Sequence, residues 1–102
     1  MQDITVQELK RRMDAGEDLH IIDVREPDEY AAFNIGAKLM PLGQILGMQT
    51  DDIDDWKDEE VILHCQGGKR SMQAGLMLET MGFSNVKNLA GGMAAWQEVV
   101  GR

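Results

Sequence analysis

The sequence holds one cysteine, ten basic residues against eighteen acidic ones, and no long apolar run, and each shortage removes a class of function. A single thiol cannot close an internal disulfide, which fits a reducing compartment, and it leaves no internal partner to resolve chemistry at that sulfur. A net charge of −8 favours solubility and works against the phosphates of nucleic acids and anionic membranes, so neither is expected as a partner. No segment approaches the roughly 20 apolar residues of a membrane span. Met1-Gln2-Asp3-Ile4 has neither a basic n-region nor an apolar h-region, so a cytoplasmic location is expected. His20, His64 and Cys65 lack the spacing of a structural zinc site. Asp51, Asp52, Asp54, Asp55, Asp58, Glu59 and Glu60 lack the glycine of a calcium loop and read as a solvated acidic surface. No metal or cofactor is expected, and no repeat, low-complexity tract or linker divides the chain.

What is present suits one packed domain over residues 1–102, with an ordinary apolar fraction of 43%. Thr5-Val6-Gln7-Glu8 has the spacing of a capping box, with Leu9 and Met13 at helical intervals and Gly16 placed to stop the helix. Leu19 to Val24 is a short, β-branched run of the kind buried in a parallel sheet. Pro27 to Phe33 reads as a short helix with acidic residues at its positive end. Ala37 to Met40 is a second short strand, Pro41 to Met48 a helix weakened by two glycines, and Gln49 to Trp56 a loop with a turn of helix. Val61 to His64 is a buried strand, Ser71 to Met81 a helix closed by Gly82, and Asn85 to Leu89 a last strand. Gly91-Gly92 is a turn, and Met93 to Val100 a helix carrying Trp96. This alternation predicts an α/β fold, a mainly parallel sheet with helices on both faces. The eight methionines are expected to fill gaps in the core.

Ligands of such sheets sit beyond the carboxyl ends of the strands, where Asp23-Val24-Arg25 and Cys65 to Arg70 both fall. A thiol acts as a nucleophile only as thiolate, and an ordinary cysteine of pKa ~8.5 is a few per cent ionised at neutral pH. The stretch Cys65-Gln66-Gly67-Gly68-Lys69-Arg70-Ser71 offers three ways to hold a negative charge. Two glycines let backbone N–H groups turn inward, Lys69 and Arg70 bring positive charge, and a helix begins immediately afterwards. Ser71 caps that helix or donates its hydroxyl. The same cradle would hold a persulfide, Cys–S–S⁻, or an anionic sulfur donor. His64 precedes Cys65 in a strand and so points to the opposite face, as a hydrogen-bonded core histidine rather than a base.

In the order of these motifs the chain resembles the rhodanese-like (thiosulfate sulfurtransferase) family from about Ile4 to Trp96. Ile21-Ile22-Asp23-Val24-Arg25-Glu26 with Glu29-Tyr30 resembles its first motif, and Gly36-Ala37 with Pro41 the continuation. Cys65-x-x-Gly68-x-Arg70-Ser71 resembles the active loop, and Asn88-Leu89-x-Gly91-Gly92 with Trp96 the last motif. The resemblance implies a five-stranded parallel sheet and transfer of sulfane sulfur through Cys65. It also implies an anion cradle from the backbone of residues 66 to 70, and Asp23 with Arg25 as a supporting ion pair, against a reading in which both are solvated at a strand end. Trp96 and Gly91-Gly92 would be structural. Where members of the family commonly read His-Ile-Pro-Gly-Ala, this chain has Asn34-Ile35-Gly36-Ala37, so the rim loop is expected to differ in shape.

Three functions compete. In the first, thiosulfate or another small anionic donor loads Cys65, and cyanide or a thiol removes the sulfur. In the second, Cys65 relays sulfur between proteins. The third is a cysteine-dependent phosphatase; those enzymes separate cysteine and arginine by one residue more than the four between Cys65 and Arg70, which makes this loop too tight for phosphate.

Overall fold

The computed structural model describes residues 1–101. Five parallel strands, β1 (Gln2–Ile4), β2 (His20–Asp23), β3 (Lys38–Leu39), β4 (Glu60–His64) and β5 (Asn85–Leu89), form one sheet in the order β1-β5-β4-β2-β3. The helices are α1 (Val6–Asp14), α2 (Pro27–Ala32), α3 (Leu42–Leu46), α4 (Lys69–Thr80) and α5 (Gly92–Val99), with a 3₁₀ turn over Asp51–Trp56. Among the described residues no helix is long and apolar enough to cross a membrane.

The α/β alternation holds, with two shifts that matter. Gln2–Ile4, too short to signal itself, pairs with β5 and supplies the fifth strand. The helix expected from Ser71 begins two residues earlier, so Lys69 and Arg70 form its first turn and the loop proper is only Cys65 to Gly68. Gly68, at φ +110°, takes the left-handed conformation that turns the chain from strand to helix.

Alternation along β4 sorts the core. Val61, Leu63 and Cys65 join Ile22, Val24, Met40, Ile45, Ala74 and Leu78 on the face covered by α3 and α4. Ile62 points the other way, into Ile4, Val6, Leu9, Leu89, Met93 and Trp96 beneath α1 and α5. Trp96 therefore packs core, as expected. The methionines do so only in part: Met40 and Met93 are buried, whereas Met1, Met48 and Met72 are exposed.

The acidic stretch also divides. Its aspartates are exposed around a buried Ile53, but Glu60 is half-buried and paired, contrary to the solvated reading. Lying on the α1 face of the sheet, it accepts from Arg12 Nη1 and Nη2 at 3.0 and 2.6 Å and from Lys87 Nζ at 2.5 Å. The Arg12 hydrogen bonds, aided by Lys87 and against the opposing effect of burial, hold its carboxyl at a pKa of about 2. A carboxylate depressed in the fold stabilises above its unfolded pKa and loses that contribution as pH falls through the folded one. Urea unfolding of Glu60→Gln should therefore show a deficit of about 1 kcal/mol at pH 6. The deficit should shrink as pH falls from about 4.5 towards 2; a gap independent of pH would contradict this account.

Candidate active site

Cys65 lies at the carboxyl end of β4 with only 1% of its surface exposed. Its Sγ accepts from the Gly68 N–H at 3.0 Å, and the Ser71 Oγ stands 3.4 Å away. Burial works to raise the thiol pKa. The Ser71 hydroxyl and the N–H groups of Ser71, Gly68 and Gly67 overcome that effect and leave the thiol below its ordinary value. The α4 N-terminus is thus aimed at the sulfur, and an anion there meets converging donors.

A second helix fixes the loop from outside. At the start of α5, Met93 N–H donates to the Cys65 carbonyl at 2.9 Å and Ala94 N–H to the Gln66 carbonyl at 3.0 Å. With these carbonyls drawn outward, the following N–H groups are free to face Sγ. The approach requires Gly92: a Cβ there would lie 2.4 Å from the Cys65 carbonyl oxygen and 2.8 Å from the Gln66 carbonyl, at a φ of +57°. A polar network closes the floor. Ser71 Oγ stands 2.5 Å from Asn88 Oδ1 and 3.1 Å from the Gly68 carbonyl, which also accepts from Asn88 Nδ2 at 3.2 Å.

The two cations expected at the loop have different fates. Lys69 is exposed and forms no ion pair among the described residues. Arg70 is held by Glu29 of α2 through a bidentate pair, Nη1 to Oε1 at 2.7 Å and Nη2 to Oε2 at 2.9 Å. Arg70 lowers the Glu29 carboxyl to about 2 against the effect of burial, with help from the Glu26 N–H that Glu29 caps. Much of the positive charge written in the loop is thereby answered from within.

Asp23 and Arg25 form an ion pair, and the solvated strand-end reading fails: Asp23 is fully buried and Arg25 is 3% exposed. Asp23 Oδ1 accepts from the Arg25 backbone N–H at 2.9 Å, Oδ2 accepts from Nη2 at 2.8 Å, and Nη2 also donates to the Phe33 carbonyl at 2.7 Å. Asp23 pairs in register with His64 and shares its side of the sheet, so the pair braces the site from behind rather than lining it. His64 points away from Cys65's side, as expected, but it is not a hydrogen-bonded histidine. Among the described residues both ring nitrogens lack hydrogen bonds, and Nε2 stops 3.7 Å from Asp23 Oδ2 because Arg25 has claimed that carboxylate. Burial pushes its pKa down despite Asp23, which keeps the ring neutral.

The rim loop that lacks the histidine is closed by Asn34. Its Oδ1 accepts from Gly36 N–H at 2.9 Å, its Nδ2 donates to the Tyr30 carbonyl at 3.0 Å, and Tyr30 Oη donates to the Ala37 carbonyl at 2.7 Å. Three contributors to the site escaped the reading of the residues as chemistry: Glu29, Asn88 and Gly92. Asn88 left a usable signal, an asparagine, a residue depleted in strands, near the carboxyl end of β5.

The sequence pattern of the rhodanese-like domain matches residues 5–99. The chain belongs to the rhodanese-like domain family. It is 37% identical to YtwF of Bacillus subtilis, a candidate sulfurtransferase by its name, over 95% of this chain and 91% of that one. It is 32% identical to YrkF of the same organism, a candidate sulfur carrier by its name; the match takes in 92% of this chain but only 50% of YrkF. The crystal structure of a rhodanese-like domain protein from Staphylococcus aureus superposes with a TM-score of 0.81 at 36% identity, covering 94% of this chain and 91% of that one. In this rhodanese-like domain Gly92→Ala should cost about 2–4 kcal/mol, from a Cβ forced against backbone at positive φ. Thermal unfolding measures that loss, and alkylation of Cys65 at pH 7 should slow by more than its change in exposure explains.

Proposed function

We propose that this chain is a sulfurtransferase in which Cys65 carries sulfane sulfur as a persulfide, acting in the cytoplasm where a lone thiol stays reduced. The observation that carries the proposal is the convergence of N–H groups on Sγ at the start of α4, with Gly68 N–H at 3.0 Å. In the loading step the Cys65 thiolate attacks the outer sulfur of a donor such as thiosulfate. The Sγ–S bond forms, the donor's S–S bond breaks, and its electron pair leaves on sulfite. The charge moves to the outer sulfur, within the same field of donors. A thiolate or cyanide then takes that sulfur and returns Cys65 as thiolate; these 102 residues hold no second cysteine to do so. Gln66, Gly67, Gly68, Lys69 and Ser71 would bind the anion, with Asp23 and Arg25 in support and Arg70 joining them only when released from Glu29. The short gap between Cys65 and Arg70 favours sulfur over phosphate.

One observation favours a protein persulfide as donor over thiosulfate. Arg70 is occupied by Glu29, so a small dianion must be drawn by Lys69 and backbone alone, against a net charge of −8. A protein donor brings its own docking surface and needs less charge at the loop. The similarity to YrkF agrees with that direction.

Two measurements test these statements. Incubation with thiosulfate, with 3-mercaptopyruvate and with a protein persulfide should add one sulfur atom to the intact mass of the wild type, and none to Cys65→Ser. Uptake from none of the three would remove sulfur transfer as the function. Glu29→Gln frees Arg70 and should lower the KM for thiosulfate severalfold, with a steeper dependence on ionic strength. An unchanged KM would show that Arg70 never reaches the donor.

A further inference from the structure

The Ser71 hydroxyl carries one hydrogen and faces three acceptors: Asn88 Oδ1 at 2.5 Å, the Gly68 carbonyl at 3.1 Å and Cys65 Sγ at 3.4 Å. The orientation of the Asn88 amide is set by its other end, since Nδ2 donates to the Gly68 carbonyl and a reversed amide would bring two acceptors together. Ser71 is fully buried and Asn88 is 4% exposed, so water does not supply a missing partner cheaply. The shortest contact therefore takes the hydrogen while Cys65 is a thiol, and the thiol S–H is left to donate to Ser71 Oγ.

We infer that Asn88 is a positioning residue that competes with Cys65 for the hydroxyl hydrogen of Ser71, so that each change of charge on Sγ turns that hydroxyl from one partner to the other. On ionisation the thiol proton leaves to solvent base and the Ser71 O–H swings to Sγ, leaving Asn88 Oδ1 lone pair to lone pair with Ser71. That geometry opposes the thiolate. When an outer sulfur is bonded to Sγ, the negative charge moves one atom outward and the hydroxyl returns to Asn88. The amide thus penalises the empty thiolate and spares the sulfur-loaded state, which biases the domain towards holding sulfur. This last consequence rests on the sulfur-transfer reading; the competition for the hydrogen does not.

Other groups around Cys65 are not placed to produce the same toggle. Arg70 on α4 is paired with Glu29 of α2, Lys69 is exposed, and Asp23, Arg25 and His64 lie behind the sheet. The first turn of α5 carries no charge, and Asp3 of β1, the in-register neighbour of Asn88 and a wall of the same cleft, makes no hydrogen bond to Ser71 or Cys65 among the described residues.

The test is the pH midpoint of Cys65 ionisation, followed by the ultraviolet absorbance of the thiolate and referenced to Cys65→Ser, which needs no reagent to reach the buried sulfur. Asn88→Ala should lower the midpoint by about one unit, a tenfold gain in thiolate at a given pH below it. In the Ser71→Ala background the same change should do nothing, a coupling that general loosening of the loop would not produce. Asn88→Asp keeps the acceptor and adds charge, so its midpoint should rise; it serves alone if Asn88→Ala does not fold. An unchanged midpoint in Asn88→Ala, or a fall that survives Ser71→Ala, overturns the inference, as does a lowered midpoint in Asn88→Asp. At a pH above the Cys65 midpoint, where the unloaded form is thiolate, and at a fixed thiosulfate-to-sulfite ratio, the persulfide fraction by intact mass should also fall severalfold in Asn88→Ala. If the wild type takes up no sulfur while the midpoints behave as stated, the sulfur-transfer reading fails and the proton competition stands.

Discussion

Two hydrogen bonds from the start of α5 to the carbonyls of Cys65 and Gln66 set the geometry on which the rest of the site depends. A peptide unit presents its C=O and N–H on opposite sides, so anchoring the carbonyls outward commits neighbouring amides to the sulfur. Each bond contributes only about 1 kcal/mol net, yet together they exclude the loop conformations in which the sulfur would face carbonyl oxygens. The glycine that admits α5 to this distance lies 27 residues after the cysteine it serves, and the two meet because β5 runs beside β4. Parallel pairing gathers such distant residues at one end of the sheet.

Charge in this protein is arranged as fasteners around a helix with little apolar grip. No residue of α2 is fully buried, so its attachment relies on polar links. Arg25 holds the Phe33 carbonyl at its end, Arg70 holds Glu29 in its middle, and Tyr30 reaches the Ala37 carbonyl beyond it. Arg25 can do this only because Asp23 neutralises it in a dry setting, where removing one partner of an ion pair costs about 3–5 kcal/mol. The neutral, unsatisfied ring of His64 is what remains after Arg25 has taken that carboxylate. Local opening at α2 would release Arg70 at the same time, so helix docking and the electrostatics of the cysteine loop are one equilibrium.

The fold was legible because the strands and helices announce themselves through apolar spacing, and Cys65, its glycines and Ser71 were legible because they are adjacent in the chain. The first strand was not, since three residues at a sheet edge carry too little pattern, and only family resemblance implied a fifth strand. Lys69 and Arg70 read as loop charges because nothing in their side chains marks a helix start, whereas helical geometry begins as soon as Gly68 has turned the chain. The tethering of Arg70 by Glu29 depends on how two separate helices approach each other, which spacing does not encode. For the same reason the sequence overstates the free charge on the loop, and Glu60 reads as solvent-facing although Arg12 of α1 and Lys87 of β5 converge on it.

The sheet's strand order has a consequence for how the protein tolerates its own company. Its edges are β1 and β3, three and two residues long, while the five-residue strands β4 and β5 lie inside with both sides paired. An edge so brief exposes few free amides and carbonyls, too few to template the addition of a foreign strand. Crowded copies of this chain therefore find almost no ladder on which to polymerise.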